Sequence, residues 1–162
     1  MLWWDVRPSA KFPTLEMRIS DMCTTLEDAL SIAALYQCLL RMLYRLRRNN
    51  QKWRTYRPML IDENRWRAQR YGIDGGLVDF GKEKLVAFNE LLNELATMIE
   101  EDAKALNCEE EIAHLQNILE RGTSAHRQMT IYNTAINNGA DKIEACRSVV
   151  FWLKEETIKG LF

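Results

Sequence analysis

The sequence predicts an α+β fold: an antiparallel β-hairpin, part of a larger sheet, packed with five or six helices. Three observations carry this reading. Residues 2–7, "LWWDVR", and 12–20, "FPTLEMRIS", have strand character and flank a turn-like "PSAK". After Asp21 the apolar spacing changes from every second residue to every third and fourth. Cap-like pairs, a Thr, Asn or Asp with Glu three positions on, precede the apolar runs. At 162 residues the chain reads as a single domain, 1–162, long enough to bury a sizeable core. The hairpin occupies 1–21 and the mostly helical remainder 22–162.

The elements follow in order. Thr24 with Glu27 opens a long helix whose stripe is Ile32, Leu35, Leu39, Met42 and Leu46, and basic residues suit its end near "RRNN". Residues 49–61 read as a loop broken by Pro58, and "DENRWRAQRYG" as a short helix stopped by Gly72. "GIDGGLVDFG" is turn-rich. A second long helix carries Leu85, Phe88, Leu92, Leu95 and Ile99 on one stripe. Asn107 with Glu110 starts another, continued by Ile112 and Leu115. "RGTSAHRQ" breaks it and begins the next, with Ala125, Met129, Tyr132 and Ile136 on one face. Asp141 with Glu144 starts the last, lined by Ile143, Cys146, Val150 and Leu153. A lone hairpin is marginal in water because its edges leave N–H and C=O groups unpaired. The two strands therefore call for a larger sheet, supplied by another chain or by a preceding portion of this one.

Composition narrows the function classes. Lys and Arg number 22 against 23 Asp and Glu, so net charge names no partner. From Arg41 to Gly72 there are 10 Lys/Arg against Asp62 and Glu63, a block able to meet phosphates or to form a solvated face. The four cysteines lack CxxC spacing and only two histidines are present, which excludes a zinc framework. Cys38 and Cys146 fall at apolar helical positions and read as buried free thiols, in keeping with a cytoplasmic location. "ALSIAALYQCLL" is too short and too polar to span a bilayer, and "MLWWDVRPS" has no signal-peptide pattern.

The chemistry concentrates in "TLEMRISD", residues 14–21. Side chains at i and i+2 on a strand share a face, ~7 Å apart along the chain. Glu16 and Arg18 therefore point the same way, and Leu15, Met17 and Ile19 pack behind. A carboxylate suits Mg²⁺ and an arginine fork suits phosphate oxygens, so the pair could hold a metal–triphosphate. From spacing alone the simpler reading, a cross-strand ion pair on the wet face of an antiparallel sheet, is preferred. Arg7 and Lys11 approach the same face as further phosphate candidates, or serve as surface ion pairs. Asn64 and Arg67 share a helix face, as pocket residues or as a cap and a solvated arginine. Trp66 reads as a packing anchor, Thr123 and Ser124 as helix caps, and His126 as a helix-surface residue. Arg127 and Gln128 either serve the site or brace it.

Three segments carry a family resemblance. "WWDVRPSAKFPTLEMRISD" resembles a W-[WD]-x-R strand followed by an E-[VM]-R-[IVL]-x-D strand in the carboxylate–amine ligases related to type 2 glutamate–cysteine ligase. "DENRWRAQRYGIDGGLVDF" is similar to that family's E-N-x-W-R-A-x-R-x-G segment. "ILERGTSAHRQ", followed by "WLKEET", resembles its G-T-[GS]-A-x-R-Q segment and terminal helix. The segments stand in the family's order and cover nearly the whole chain.

The resemblance implies a glutamine-synthetase-like sheet and an ATP- and Mg²⁺-dependent ligase. Such an enzyme joins amino-acid-like carboxylate and amine substrates through an acyl phosphate. It implies Glu16 as the Mg²⁺ ligand and Arg18 as the holder of ATP phosphates. It also implies that the chain matches only the family's C-terminal portion, because the family's preceding "G-x-E-x-E" strand has no counterpart here. The partners expected are that N-terminal portion or another chain, and further copies in a homo-oligomer; neither nucleic acid nor membrane is expected. The rival reading is a non-catalytic helical module for self-association.

Overall fold

The computed structural model describes residues 5–159. Residues 2–4 of the first predicted strand lie outside them. The described strands are short: β1 (Val6–Pro8) and β2 (Leu15–Met17) pair antiparallel with Arg7 opposite Glu16. The connection is longer than "PSAK". The Ser9 hydroxyl accepts the N–H groups of Lys11 and Phe12, and Ser9 N–H donates to the Thr14 carbonyl at 3.0 Å, so residues 9–14 form the turn. The described sheet stops at two strands.

Helix α1 (Leu26–Arg48) is capped by Thr25, one residue later than the predicted Thr24. The Thr25 hydroxyl accepts from Asp28 N–H, with Glu27 and Asp28 in the first turn and Arg45, Arg47 and Arg48 in the last, as the helix dipole favours. Its inward line is Ser31, Ala34, Cys38 and Met42; Met42 belongs to the predicted stripe, and the other three lie one position before Ile32, Leu35 and Leu39. Leu35, Leu39 and Leu46 flank that line. Small residues at its centre let α5 (Glu109–Arg121) come close, and α1 packs chiefly there. The core is Cys38, Met42, Ile99 and Ala103, with Leu95, Met98 and Ile112 against it.

Helix α2 (Pro58–Tyr71) begins earlier than predicted, because Pro58 opens it at its first turn rather than breaking a loop. Gly72 ends it with φ 57°. The turn-rich stretch hides a second hairpin, β3 (Leu77–Asp79) with β4 (Lys84–Val86). Three-residue strands are too short to show a period. The Asp79 carboxylate accepts from Gly81 and Lys82 N–H to make the turn. Gly76, at φ 60°, is required, since a Cβ there would lie 2.6 Å from the Val86 carbonyl oxygen.

Leu85 therefore belongs to a strand, and the second long helix is two: α3 (Phe88–Met98) and α4 (Glu100–Leu106), broken at the fully buried Ile99. Asn107 does not open α5. It closes α4 in the left-handed conformation, and Cys108 is the cap of α5. Helix α6 (Ser124–Asn137) starts with a Thr123–His126 capping box, and α7 (Lys142–Ile158) with the predicted Asp141–Glu144 box.

These last two helices pack mainly on each other. Among the described residues their predicted stripes are only partly covered: Tyr132 and Leu153 are half-buried, whereas Met129, Ile136, Ile143 and Val150 are exposed. Cys146 is exposed as well, against the expectation of a buried thiol, because α7 turns Ala145 inward instead. Among the described residues, no helix is long and apolar enough to cross a membrane.

Candidate functional site

Cross-strand pairing brings three charged side chains together. Arg7 faces Glu16 across the hairpin, and residues directly opposite share a face. Arg7 Nη2 lies 2.5 Å from one Glu16 oxygen, and Arg18 Nη1 donates to the other at 3.0 Å. Arg18 N–H also donates to the Asp5 carbonyl at 2.8 Å, which extends the hairpin by a rung. The three side chains remain 27–48% exposed. Glu16 and Arg18 thus share a wet face. Leu15 and Ile19 are exposed rather than packed behind them, while Met17 is half-buried. Lys11 sits in the turn, its ammonium 5.6 Å over the Phe12 ring and its backbone N–H donating to the Ser9 hydroxyl.

A cavity of about 700 Å³ lies between the hairpin and α2, with Asp5, Arg18, Ile19, Asn64, Arg65 and Gln69 in its wall. Arg18 reaches it, whereas Glu16 and Arg7 do not line it. Asp5 pairs with Arg65 across the cavity mouth and docks the hairpin on α2. That pair was not foreseen from sequence, since nothing in the spacing links residues 60 apart.

Asn64 borders the cavity, yet its amide is engaged. Its nitrogen donates to the Val78 carbonyl at 2.9 Å and its oxygen accepts Val78 N–H at 2.8 Å. Arg67 turns away, donating to the carbonyls of Gly75 and Gly76. Together they clamp the second hairpin to α2. Trp66 is half exposed and meets Tyr71 edge-on at 5.5 Å rather than anchoring a core.

The helical layer holds three carboxylates that are largely buried. Asp102, fully buried, takes Arg41 at 2.5 Å and Arg45 at 2.7 Å. Burial acts to raise its pKa, and the hydrogen bonds from Arg45 and Arg41 outweigh that and hold it below the usual carboxylate range. Asp28 takes Arg121 and His114. Glu156 takes Arg127 at 2.5 Å and Lys159 at 3.2 Å, and its pKa is also lowered, since those bonds exceed the opposing effect of burial.

Arg127 further lies 4.7 Å over the Trp152 ring. Through Glu156 and Trp152 it links α6 to α7. Gln128 donates to Ser124 within the first turn of α6. His126 is no plain surface residue: Nδ1 closes the Thr123 cap and Nε2 lies 3.0 Å from Asp74, tying α6 to the loop after α2.

Among the described residues, no three His, Cys, Asp or Glu side chains gather into a metal-ligand set. Glu16 offers a single carboxylate. Mg²⁺ commonly takes one or two carboxylates with water and substrate phosphates, so Glu16 fits one ligand position and the remaining ones need groups from elsewhere.

The chain matches the family model described as Glutamate-cysteine ligase family 2 (GCS2) over residues 1–148. A Rhodospirillum rubrum protein provisionally named glutamate–cysteine ligase 2 is 56% identical over 160 residues, covering 99% of this chain and 41% of that protein. Proteins of the same provisional name from Paracoccus denitrificans and Solibacter usitatus are 48% and 40% identical, with 43% and 40% of their lengths covered. No solved structure matches. These likenesses define the class, a chain related to glutamate–cysteine ligases. The chain belongs to glutamate–cysteine ligase family 2 and spans about two-fifths of the length of the curated relatives it matches.

Proposed function

We propose that this chain supplies part of the ATP and Mg²⁺ site of a carboxylate–amine ligase of the glutamate–cysteine type. The observation that carries the reading is the solvated cluster Arg7–Glu16–Arg18, in which one carboxylate is held between two guanidinium groups beside an open cavity. Without nucleotide the arginines neutralise Glu16. Bound nucleotide phosphates would be held by the two arginines and a metal by Glu16, an exchange of partners that exposed pairs would allow at little cost. Arg18 is the principal phosphate holder and Arg7 the second. Asn64 and Arg67 act one step back, by fixing the wall opposite Arg18. Lys11 joins only if the 9–14 turn swings toward the nucleotide.

In this reading ATP phosphorylates the substrate carboxylate and an amine displaces phosphate from the acyl phosphate. Such chemistry is carried by positioning and charge neutralisation. The missing carboxylates, and the strands that would widen the two-stranded sheet, come from the part of the relatives' length that this chain does not cover. That part meets the bare apolar surface at Leu15, Ile19 and Met22. The assembled protein works in the cytoplasm, as a homo-oligomer. Family membership does not favour a non-catalytic module.

The test joins this chain to the uncovered part of the Rhodospirillum rubrum relative and measures ATP hydrolysis coupled to amide formation from glutamate and cysteine. Coupled turnover is expected, with Glu16→Gln and Arg18→Ala each lowering it by about 10²-fold or more. Full turnover in those variants removes the site assignment, and product formed from another amine alone corrects the substrate.

A further inference from the structure

Two thiols that the proposed site does not use meet inside the helical layer. Cys38, midway along α1, is fully buried in the core with Met42, Ile99 and Ala103. Cys108, the cap residue of α5, is partly exposed and packs against that core. Their Sγ atoms are 3.5 Å apart across a sequence separation of 70 residues. A disulfide needs about 2.05 Å, so the sulfurs must close by roughly 1.5 Å, within reach of small side-chain rotations. The other two cysteines offer no such pairing: Cys23 and Cys146 have no thiol neighbour among the described residues.

We propose that Cys108 is a site of oxidation by hydroperoxides and that Cys38 is its resolving thiol, closing a disulfide between α1 and the start of α5. The roles follow from exposure. Peroxide reaches Cys108, whereas Cys38 presents no surface to solvent. Burial, together with the hydrogen bond shared with Cys108, pushes the Cys38 thiol well above the usual range, so it stays protonated and inert until its neighbour is oxidised.

In the first step the Cys108 sulfur takes one oxygen from the hydroperoxide, giving a sulfenic acid and the corresponding alcohol, which for hydrogen peroxide is water. In the second, Cys38 sulfur attacks Cys108 sulfur, its proton leaves with the hydroxyl as water, and the S–S bond forms. Sulfur is oxidised and the peroxide reduced. The link would pin together the two helices whose packing dominates the layer, and a thiol reductant would reopen it.

The test treats the full chain with hydrogen peroxide, alkylates residual thiols in urea and maps the peptides by mass. A species about 2 Da lighter, with Cys38 and Cys108 in one linked peptide, is expected. It should be reversed by dithiothreitol and accompanied by a melting midpoint raised by roughly 5 °C or more. Cys38→Ala should leave Cys108 to advance to sulfinic or sulfonic acid, and Cys108→Ser should leave Cys38 reduced. The proposal is overturned if wild-type Cys38 is recovered as the alkylated thiol while Cys108 carries two or three oxygens. Peroxide that links Cys23 or Cys146 in their place overturns it as well.

Discussion

Glu16 and Asp102 are both carboxylates held between two arginines, and they differ in what lies around them. Asp102 is shut away from solvent, with Arg41 and Arg45 closing over it from α1. Glu16 stands 48% exposed on a three-residue strand, with Arg7 and Arg18 beside it. A buried ion whose partners are removed keeps its desolvation cost, so its contacts are fixed. A solvated ion gives up one partner for another with little change in free energy. The same chemical triplet is thus a lock in the helical layer and an exchangeable seat at the hairpin. Only the second is suited to receive a ligand and let it go.

The widest separation between the two is in stability. Asp102→Ala should destabilise the chain by about 3 kcal/mol, toward the lower end for a broken buried pair because Arg41 and Arg45 keep part of their solvation. Urea denaturation reads it, and a loss below about 1 kcal/mol would show that the lock is ornamental.

Acid should act on the same contact. The Asp102 and Glu156 pKa values are lowered from 3.8 and 4.5, so the unfolded chain binds protons first as pH falls. Their stabilisation is complete above about pH 5 and drains away as pH drops through the lowered values. Asp102→Asn should therefore flatten the acid limb of the stability profile. A limb unchanged by that substitution would assign acid sensitivity to other groups.

The second comparison is in rate. In the completed enzyme, Glu16→Gln should lower coupled turnover by about 10²-fold or more, the scale of a lost electrostatic contact in the transition state. Thermal melting should hardly move. A variant that loses turnover and melting temperature in parallel would make Glu16 structural and erase the contrast.

The two regions were unequally legible. Glu16 and Arg18 could be placed on one face from the pleat alone, because i and i+2 on a strand admit no other arrangement. The capping box at Asp141 was legible for the same reason, since its partners are three residues apart. Asp102 was not. It sits within "EEDAK" among exposed acids, and what singles it out is contact with α1 some 60 residues earlier. Asn64 and Arg67 read either as pocket residues or as a cap and a solvated arginine, and the sequence block alone names no partner for them. Their partners are backbone groups of a hairpin too short to announce itself. Cys146 and its stripe on α7 had the periodicity of a core, but periodicity shows which face is apolar and not whether this chain covers it.

Asn64 gives a smaller effect of intermediate kind. Asn64→Ala strips both hydrogen bonds from Val78 and should cost roughly 1–3 kcal/mol, the range for half-buried polar groups left unpaired. Its effect on turnover should be indirect. If the clamp only shapes the wall opposite Arg18, the Michaelis constant for ATP rises while saturated turnover stays near wild type. A fall in saturated turnover with unchanged stability would instead put Asn64 in contact with substrate.

The smallest effect is the sharpest test of the contrast. Arg7→Ala and Glu16→Ala, made singly and together, should give a coupling below about 1 kcal/mol in stability, because both partners are solvated. Molar salt should abolish it, since screening reaches exposed charges. The matching cycle for Arg41 and Asp102 should keep its coupling in the same salt, because one partner is sealed from the ions. A hairpin pair that resisted salt as the buried pair does would mean that Glu16 is already committed to Arg7. It would then be held in that pair rather than poised to exchange, and the exchange on which the nucleotide site depends would lose its physical basis.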